Sequence, residues 1–171
     1  KGIVKSAKGD PIPLDAKIPE DPQVVARVKE LAGPIQLAMS KVVAEAAAPI
    51  DADRVTCRSA ECAMGDLVAD AMLDRAAKQG VTIAITNGGG LRASISAGPV
   101  TAGDIVAVLP FQNTLSTFQL SGKDIVAALE NGVSQVSDGA GRFPQVAGLR
   151  FGFDRSVGPN SGRIKSVEVK A

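Results

Sequence analysis

The apolar positions along the chain change period several times, and each change predicts an element. Val24, Val25, Val28 and Leu31 recur at helical spacing behind Asp21, a capping residue, and Pro22 suits the first turn. Gly33-Pro34 predicts the end of that helix. The apolar stretch from Ile35 to Ala48 predicts a second helix, closed by Pro49. Met64, Leu67, Val68, Ala71, Met72 and Leu73 form one wide helical face that ends at Gly80. Val81 to Thr86 is rich in β-branched residues and reads as a buried strand. Gly98-Pro99 predicts a turn, and Thr101 with Asp104 a capping box for a short helix, Ala102 to Leu109. Residues 114–120, TLSTFQL, alternate like a half-buried strand. Ser121 and Asp124 repeat the cap ahead of a helical stripe of Ile125, Val126, Leu129, Val133 and Val136. After a glycine loop, Asp138 to Arg142, strands at 145–153 and 163–169 form a hairpin across GPNSG. The fold class is therefore mixed α and β, in layers, without a strict βαβ period.

Strand 81–86 opens the most informative stretch, VTIAITNGGGLR. Asn87 offers an amide, and the glycines that follow, including Gly89 and Gly90, leave main chain bare for a ligand to lie against. Arg92 adds a planar cation suited to phosphate or carboxylate. A tight turn with an incidental arginine explains the same residues.

Composition narrows the chemistry. Nineteen basic against eighteen acidic residues give a net charge of +1, which argues against a nucleic-acid scaffold or a polybasic membrane surface. No apolar run approaches the length of a membrane span. The sequence has no histidine, which excludes a Ser-His-Asp or Cys-His pair and disfavours a di-metal site within these residues. Cys57 and Cys62 are spaced C-x4-C, wrong for a C-x-x-C redox pair and a poor metal site. A short-range disulfide is the stronger reading and implies a compartment outside the cytosol; two unpaired thiols are the alternative. No signal peptide is visible, and the chain begins at Lys1, as expected after processing or truncation.

Four stretches read together carry a resemblance: CRSAECAMGDLVADAM (57–72), TNGGGLR (86–92), VLPFQN (108–113) and GRFPQVAGLRF (141–151). In this order they strongly resemble the C-terminal domain of the 5′-nucleotidase family, which includes UDP-sugar hydrolase and ecto-5′-nucleotidase. The resemblance covers about residues 50–169. It implies that 1–20 is the tail of a preceding metallophosphatase domain, 21–49 a helical interdomain linker and 50–171 the substrate-binding domain. The family closes its pocket with a later F-x-x-GGDG-like segment bearing a second aromatic and a carboxylate. The sequence stops before any such segment, so the domain is expected to be truncated at its C-terminal end.

Roles follow position by position. The resemblance implies that Arg58 and Arg92 grip phosphate and ribose, that Asn87 contacts the nucleoside, that Phe111 stacks on the base and that Asn113 can hydrogen-bond it. The cysteine pair matches a disulfide in some members. Arg58 paired with Glu61 or with solvent, and Phe111 as ordinary core, are the plain alternatives. Phe143 and Gln145 are expected to order the glycine loop rather than touch substrate. No catalytic residue and no metal ligand is expected here. A divalent metal pair, such as zinc or manganese, is expected in the N-terminal metallophosphatase domain, which with the nucleotide or nucleoside makes up the expected partners. The implied function is nucleotide recognition for a periplasmic or secreted, metal-dependent 5′-nucleotidase. A sister hydrolase on the same scaffold (a 2′,3′-cyclic nucleotide phosphodiesterase or a sulfur-compound hydrolase) and a non-catalytic binding module are the alternatives.

Overall fold

The computed structural model describes residues 3–170. The chain divides into two compact units at Leu37/Ala38. In the first unit, residues 3–20 carry no helix or strand, and helix α1 (Pro22–Met39) begins behind Asp21. The Asp21 carboxylate accepts from the main-chain N–H groups of Gln23 and Val24 at 2.8 and 3.1 Å, so the expected cap is present. Gly33-Pro34 does not end this helix, which runs through Pro34. A proline removes one intrahelical hydrogen bond and crowds the preceding turn, without forbidding continuation.

The second unit contains strand β1 (Val42–Ala46), helices α2 (Arg54–Cys57) and α3 (Ala63–Ala76), and strands β2 (Ala84–Asn87) and β3 (Gly98–Thr101). Helices α4 (Ala102–Val108) and α5 (Gly122–Val133) follow, then strands β4 (Pro144–Ala147), β5 (Leu149–Phe153) and β6 (Ile164–Val169). The strands form three antiparallel pairs, β1–β3, β2–β4 and β5–β6. Of the helix expected over 35–48, residues 35–39 are helical as the end of α1, whereas β1 overturns the rest, and β3 overturns the turn expected at Gly98-Pro99. Each strand supplies the other's hydrogen bonds, with Ala46 opposite Gly98 and Val42 opposite Thr101. A partner more than fifty residues away outweighs local helix propensity.

Both capping boxes form. Thr101 and Asp104 exchange side-chain and main-chain bonds at the start of α4, and Ser121 and Asp124 do the same for α5. The hairpin expected near the C-terminus is β5–β6, with Phe151 opposite Val167. The single strand expected over 145–153 is split at Gly148, whose φ of +77° turns the chain. A Cβ there would overlap the Thr82 carbonyl. Residues 114–120 form no strand: no neighbour among the described residues pairs with them, and Phe118 is 73% exposed. Alternation makes a strand only where a partner takes the backbone hydrogen bonds.

Three buried clusters hold the unit together. The first surrounds the cysteines and gathers Met64, Leu91, Ile95, Val100 and Val108. The second seats Ala69 of α3 on Ala84 and Ala147 of the β2–β4 pair. The third joins Val133 and Val136 to Phe143, against which Phe151 and Phe153 pack with ring centroids 6.2 and 5.7 Å away. The β2–β4 register sets Asn87 opposite Pro144 and so fixes the glycine turn beside the loop that precedes β4.

Candidate functional site

Three loops meet around the glycine turn. The first follows α2, whose N-terminus is capped by Asp53: its carboxylate accepts from the Thr56 main-chain N–H at 2.8 Å and from the Thr56 hydroxyl at 2.9 Å. These bonds hold the Asp53 carboxyl below its ordinary value. Cys57 and Cys62 are joined in a disulfide with Cα atoms 5.2 Å apart, as expected. Arg58 lies inside this small ring, half-buried, and its guanidinium donates to the Gly139 carbonyl at 3.2 Å. Burial pushes its pKa down, and the cations of Arg54 and Arg92 push the same way. Among the described residues no carboxylate pairs with it, so the expected alternative partner, Glu61, is not one.

The second loop is the glycine turn itself, a short 3-10 segment, Gly88–Gly90, at the end of β2. Gly88 donates to the Phe143 carbonyl and Gly89 to the Gly141 carbonyl, both at 2.8 Å. The Asn87 carboxamide nitrogen donates to the same Gly141 carbonyl at 3.0 Å. A Cβ on Gly88 would overlap the Cys57 carbonyl, and one on Gly89 would lie 2.6 Å from the Gly141 Cα. Two of the three glycines thus serve backbone-on-backbone packing. Gly90 is the one that lines open space, where the nearest atom to a Cβ is the Asn87 Oδ1 at 3.5 Å.

The third loop follows α4. Pro110 and a left-handed Gln112 (φ 52°) turn the chain so that Phe111 and Asn113 stand on one wall of a cleft of about 760 Å³. Asn87 and Gly90 contribute to the same cleft. Phe111 is 57% exposed, which sets aside the core reading, and the Arg92 guanidinium carbon lies 5.8 Å from its ring centroid. The main-chain N–H of Arg92 bonds the Val108 carbonyl at 3.0 Å and ties that arginine to α4.

The expected site residues therefore fall into three places. Asn87, Gly90, Phe111 and Asn113 line one cleft; Arg92 stands over the Phe111 ring; Arg58 and Gly89 pack on the glycine loop and do not line the cleft. Sequence reasoning missed Arg142, whose guanidinium reaches the Asn131 Oδ1 at 3.4 Å and the Ser134 hydroxyl at 3.3 Å while lining the cleft. It also missed Phe118, a second aromatic on the same cleft. Arg142 stood in the GRFPQ motif and Phe118 in a stretch read as strand, so both signals were visible and misassigned. Phe143 is buried in the aromatic cluster and does not line this cleft. Gln145 is also buried, and it bonds the disulfide loop rather than the glycine loop.

A larger groove of about 950 Å³ runs along β4 and β5, lined by Glu61, Asp66, Phe151, Phe153 and Arg155 among others. Burial, then the neighbouring Glu61, raises the Asp66 carboxyl. None of the expected site residues lines that groove. The smaller cleft, which combines amides, an open aromatic face and nearby guanidinium groups, is the one equipped to bind an anion bearing a flat ring.

Comparison with known proteins identifies the family. The family described as "5'-nucleotidase, C-terminal domain" matches residues 39–171. The chain is 36% identical to the trifunctional nucleotide phosphoesterase protein YfkN of Bacillus subtilis, over all of this chain and 12% of that protein. It is 32% identical to the 5′-nucleotidase of Bos taurus, over 99% of this chain and 31% of that one. A crystal structure of the 5′-nucleotidase precursor from Thermus thermophilus superposes with a TM-score of 0.82 at 46% identity, covering 90% of this chain and 30% of that one. The chain spans less than a third of the length of each of these relatives.

Proposed function

The chain belongs to the 5′-nucleotidase C-terminal domain family, and we propose that it serves a 5′-nucleotidase as its nucleotide-recognition domain. The whole protein then hydrolyses nucleoside 5′-monophosphates or close relatives to nucleoside and phosphate. The observation that carries this reading is the convergence of Asn87, Gly90, Phe111 and Asn113 on one cleft, with Arg92 over the Phe111 ring. Phe111 offers a face to a base, a contact that tolerates different bases. Asn87 and Asn113 supply amides for sugar and base. Arg92 and Arg58 supply guanidinium groups for the phosphate.

The residues of this chain do not suit a catalytic metal pair. It has no histidine, and no group of three or more acidic or thiol side chains among the described residues could hold a metal ion. We therefore assign the metals to a metallophosphatase domain outside this chain. There a divalent pair, when bound, activates water and binds phosphoryl oxygens. This chain's part is to bind and orient the nucleotide. Residues 1–20 are assigned to the tail of that other domain, and the linker beginning at 21 is taken to end before β1, since β1 pairs with β3. The disulfide supports a periplasmic or secreted location, and no helix among the described residues is long and apolar enough to cross a membrane.

A second reading, a phosphodiesterase on the same scaffold, draws support from the relative described as a trifunctional nucleotide phosphoesterase. The test is phosphate release by the full-length protein from a nucleoside 5′-monophosphate, a 2′,3′-cyclic nucleotide and a base-free phosphate ester. Preference for the monophosphate is expected; preference for the cyclic substrate establishes the second reading. The chain on its own is expected to release no phosphate with any divalent metal, and release would refute the assignment of the metals elsewhere.

A further inference from the structure

Gln145 is 1% exposed, and every bond of its carboxamide ends on the loop that carries Arg58. Its Nε2 donates to the carbonyls of Cys57 at 3.0 Å and Ala60 at 2.7 Å, while its Oε1 accepts from the Cys62 N–H at 3.2 Å. The main chain of the same residue lies opposite Thr86 in the β2–β4 pair, one residue before Asn87. A Cβ on Gly65 of α3 would overlap the Gln145 carboxamide, so the helix is bare where that side chain enters. The Cys57 carbonyl that Gln145 grips is also the atom against which Gly88 packs.

The geometry points to Gln145 as a positioning residue, which holds the Arg58 loop at a fixed distance from the Asn87–Gly90 turn. This rests on the reading of Arg58 as a phosphate ligand. A leucine or methionine would fill the same space with no buried polar group to satisfy. The amide instead converts the β2–β4 register into a position for Arg58, because its backbone belongs to the sheet and its side chain to the loop. The disulfide closes that loop on itself but makes no bond to the sheet. A second hold comes from outside: Arg155 donates to the Ser59 carbonyl, and its guanidinium lies 5.7 Å from the Phe153 ring centroid.

The test measures dissociation constants for AMP and adenosine, with melting temperature alongside, on the full-length protein and its Arg58→Ala, Gln145→Met and Arg155→Ala variants. Gln145→Met is expected to weaken AMP about ten-fold, the worth of one to two hydrogen bonds, with adenosine changed by less than about two-fold. Arg155→Ala, at an exposed residue, is expected to weaken AMP about three-fold, again with little effect on adenosine. A merely structural glutamine would lower the melting temperature and weaken both ligands alike, and that result overturns the proposal. So does Gln145→Met leaving AMP affinity intact while Arg58→Ala weakens it, in which case the phosphate reading stands. If Arg58→Ala has no effect on AMP, the phosphate reading falls and the role of Gln145 with it. Should Gln145→Met fail to fold, Arg155→Ala decides: selective loss of AMP supports the proposal, and equal loss or none refutes it.

Discussion

Phe111→Ala separates recognition from architecture because the ring contributes to one and hardly to the other. The side chain is 57% exposed and lies outside the three buried clusters. Among the described residues its one aromatic interaction is with Arg92 at 5.8 Å, an exposed cation–π contact worth about 0.5 kcal/mol. Truncation should therefore lower the unfolding free energy by no more than about 0.5 kcal/mol, within the range of an ordinary surface substitution. A base stacked on the ring is worth about 1–3 kcal/mol, so AMP binding should weaken about 5- to 150-fold. Calorimetry with AMP and with glycerol phosphate, which has no base, reads the difference directly. Glycerol phosphate should bind the variant as well as it binds the parent. Equal losses on the two ligands, or a melting temperature lower by many degrees, would mean that the ring is structural and that the cleft is not the base site.

Breaking the disulfide in a Cys57→Ser/Cys62→Ser protein should lower stability by about 2 kcal/mol, since the bridge closes a loop of sequence separation 5; a denaturation midpoint equal to that of the parent would refute this. Glu130 accepts from the main-chain N–H groups of Gly162, Arg163 and Ile164, and these bonds hold its carboxyl below the ordinary value of 4.5. A depressed carboxylate stabilises fully above the unfolded value and loses that contribution as pH falls through the folded one. The parent should therefore lose more stability below about pH 4.5 than Glu130→Gln does in urea titrations, and parallel acid profiles would count against the linkage.

What the sequence made legible was local chemistry. Thr101 with Asp104 and Ser121 with Asp124 need nothing beyond three residues of helix to act as caps, and both formed as expected. The misreadings came where the deciding partner is remote. Val42–Ala46 carries the same alanine-rich composition as a helix, and only pairing with Gly98–Thr101 makes it a strand. Residues 114–120 have the alternation of a strand but no paired strand among the described residues. At the site, residue types pointed to Asn87 and the family resemblance to Phe111 and Asn113, and the three share the cleft. The place of Arg58 was not legible, because it depends on a buried glutamine far along the chain that bonds the loop around it. Nor was the division of labour among the glycines, since the atoms that exclude a side chain belong to Cys57 and Gly141.

That division gives a graded prediction along three consecutive residues of one type. Gly88 faces the Cys57 carbonyl, which is fixed by Gln145 and by the bridge to Cys62, so it cannot retreat from an added methyl. Gly88→Ala should cost about 3 kcal/mol, the upper end of overpacking. A Cβ on Gly89 would lie 2.6 Å from the Gly141 Cα and 2.7 Å from its carbonyl oxygen, in a loop held by the Gly89 N–H and by Asn87. That loop lies at the surface and can yield, so Gly89→Ala should cost about 1–2 kcal/mol and shift the Arg58 and Asn87 contacts with it. A Cβ on Gly90 would meet nothing closer than 3.5 Å, and the Gly90 φ lies outside the left-handed region, so Gly90→Ala should fold as stably as the parent. Its methyl would instead project where the cleft is lined, and AMP affinity should fall with stability unchanged. Urea unfolding and AMP calorimetry on the three variants give two orderings: stability loss should run Gly88, Gly89, Gly90, while affinity lost without stability should be confined to Gly90. A Gly90→Ala protein that binds AMP as tightly as the parent would place the ligand away from this turn.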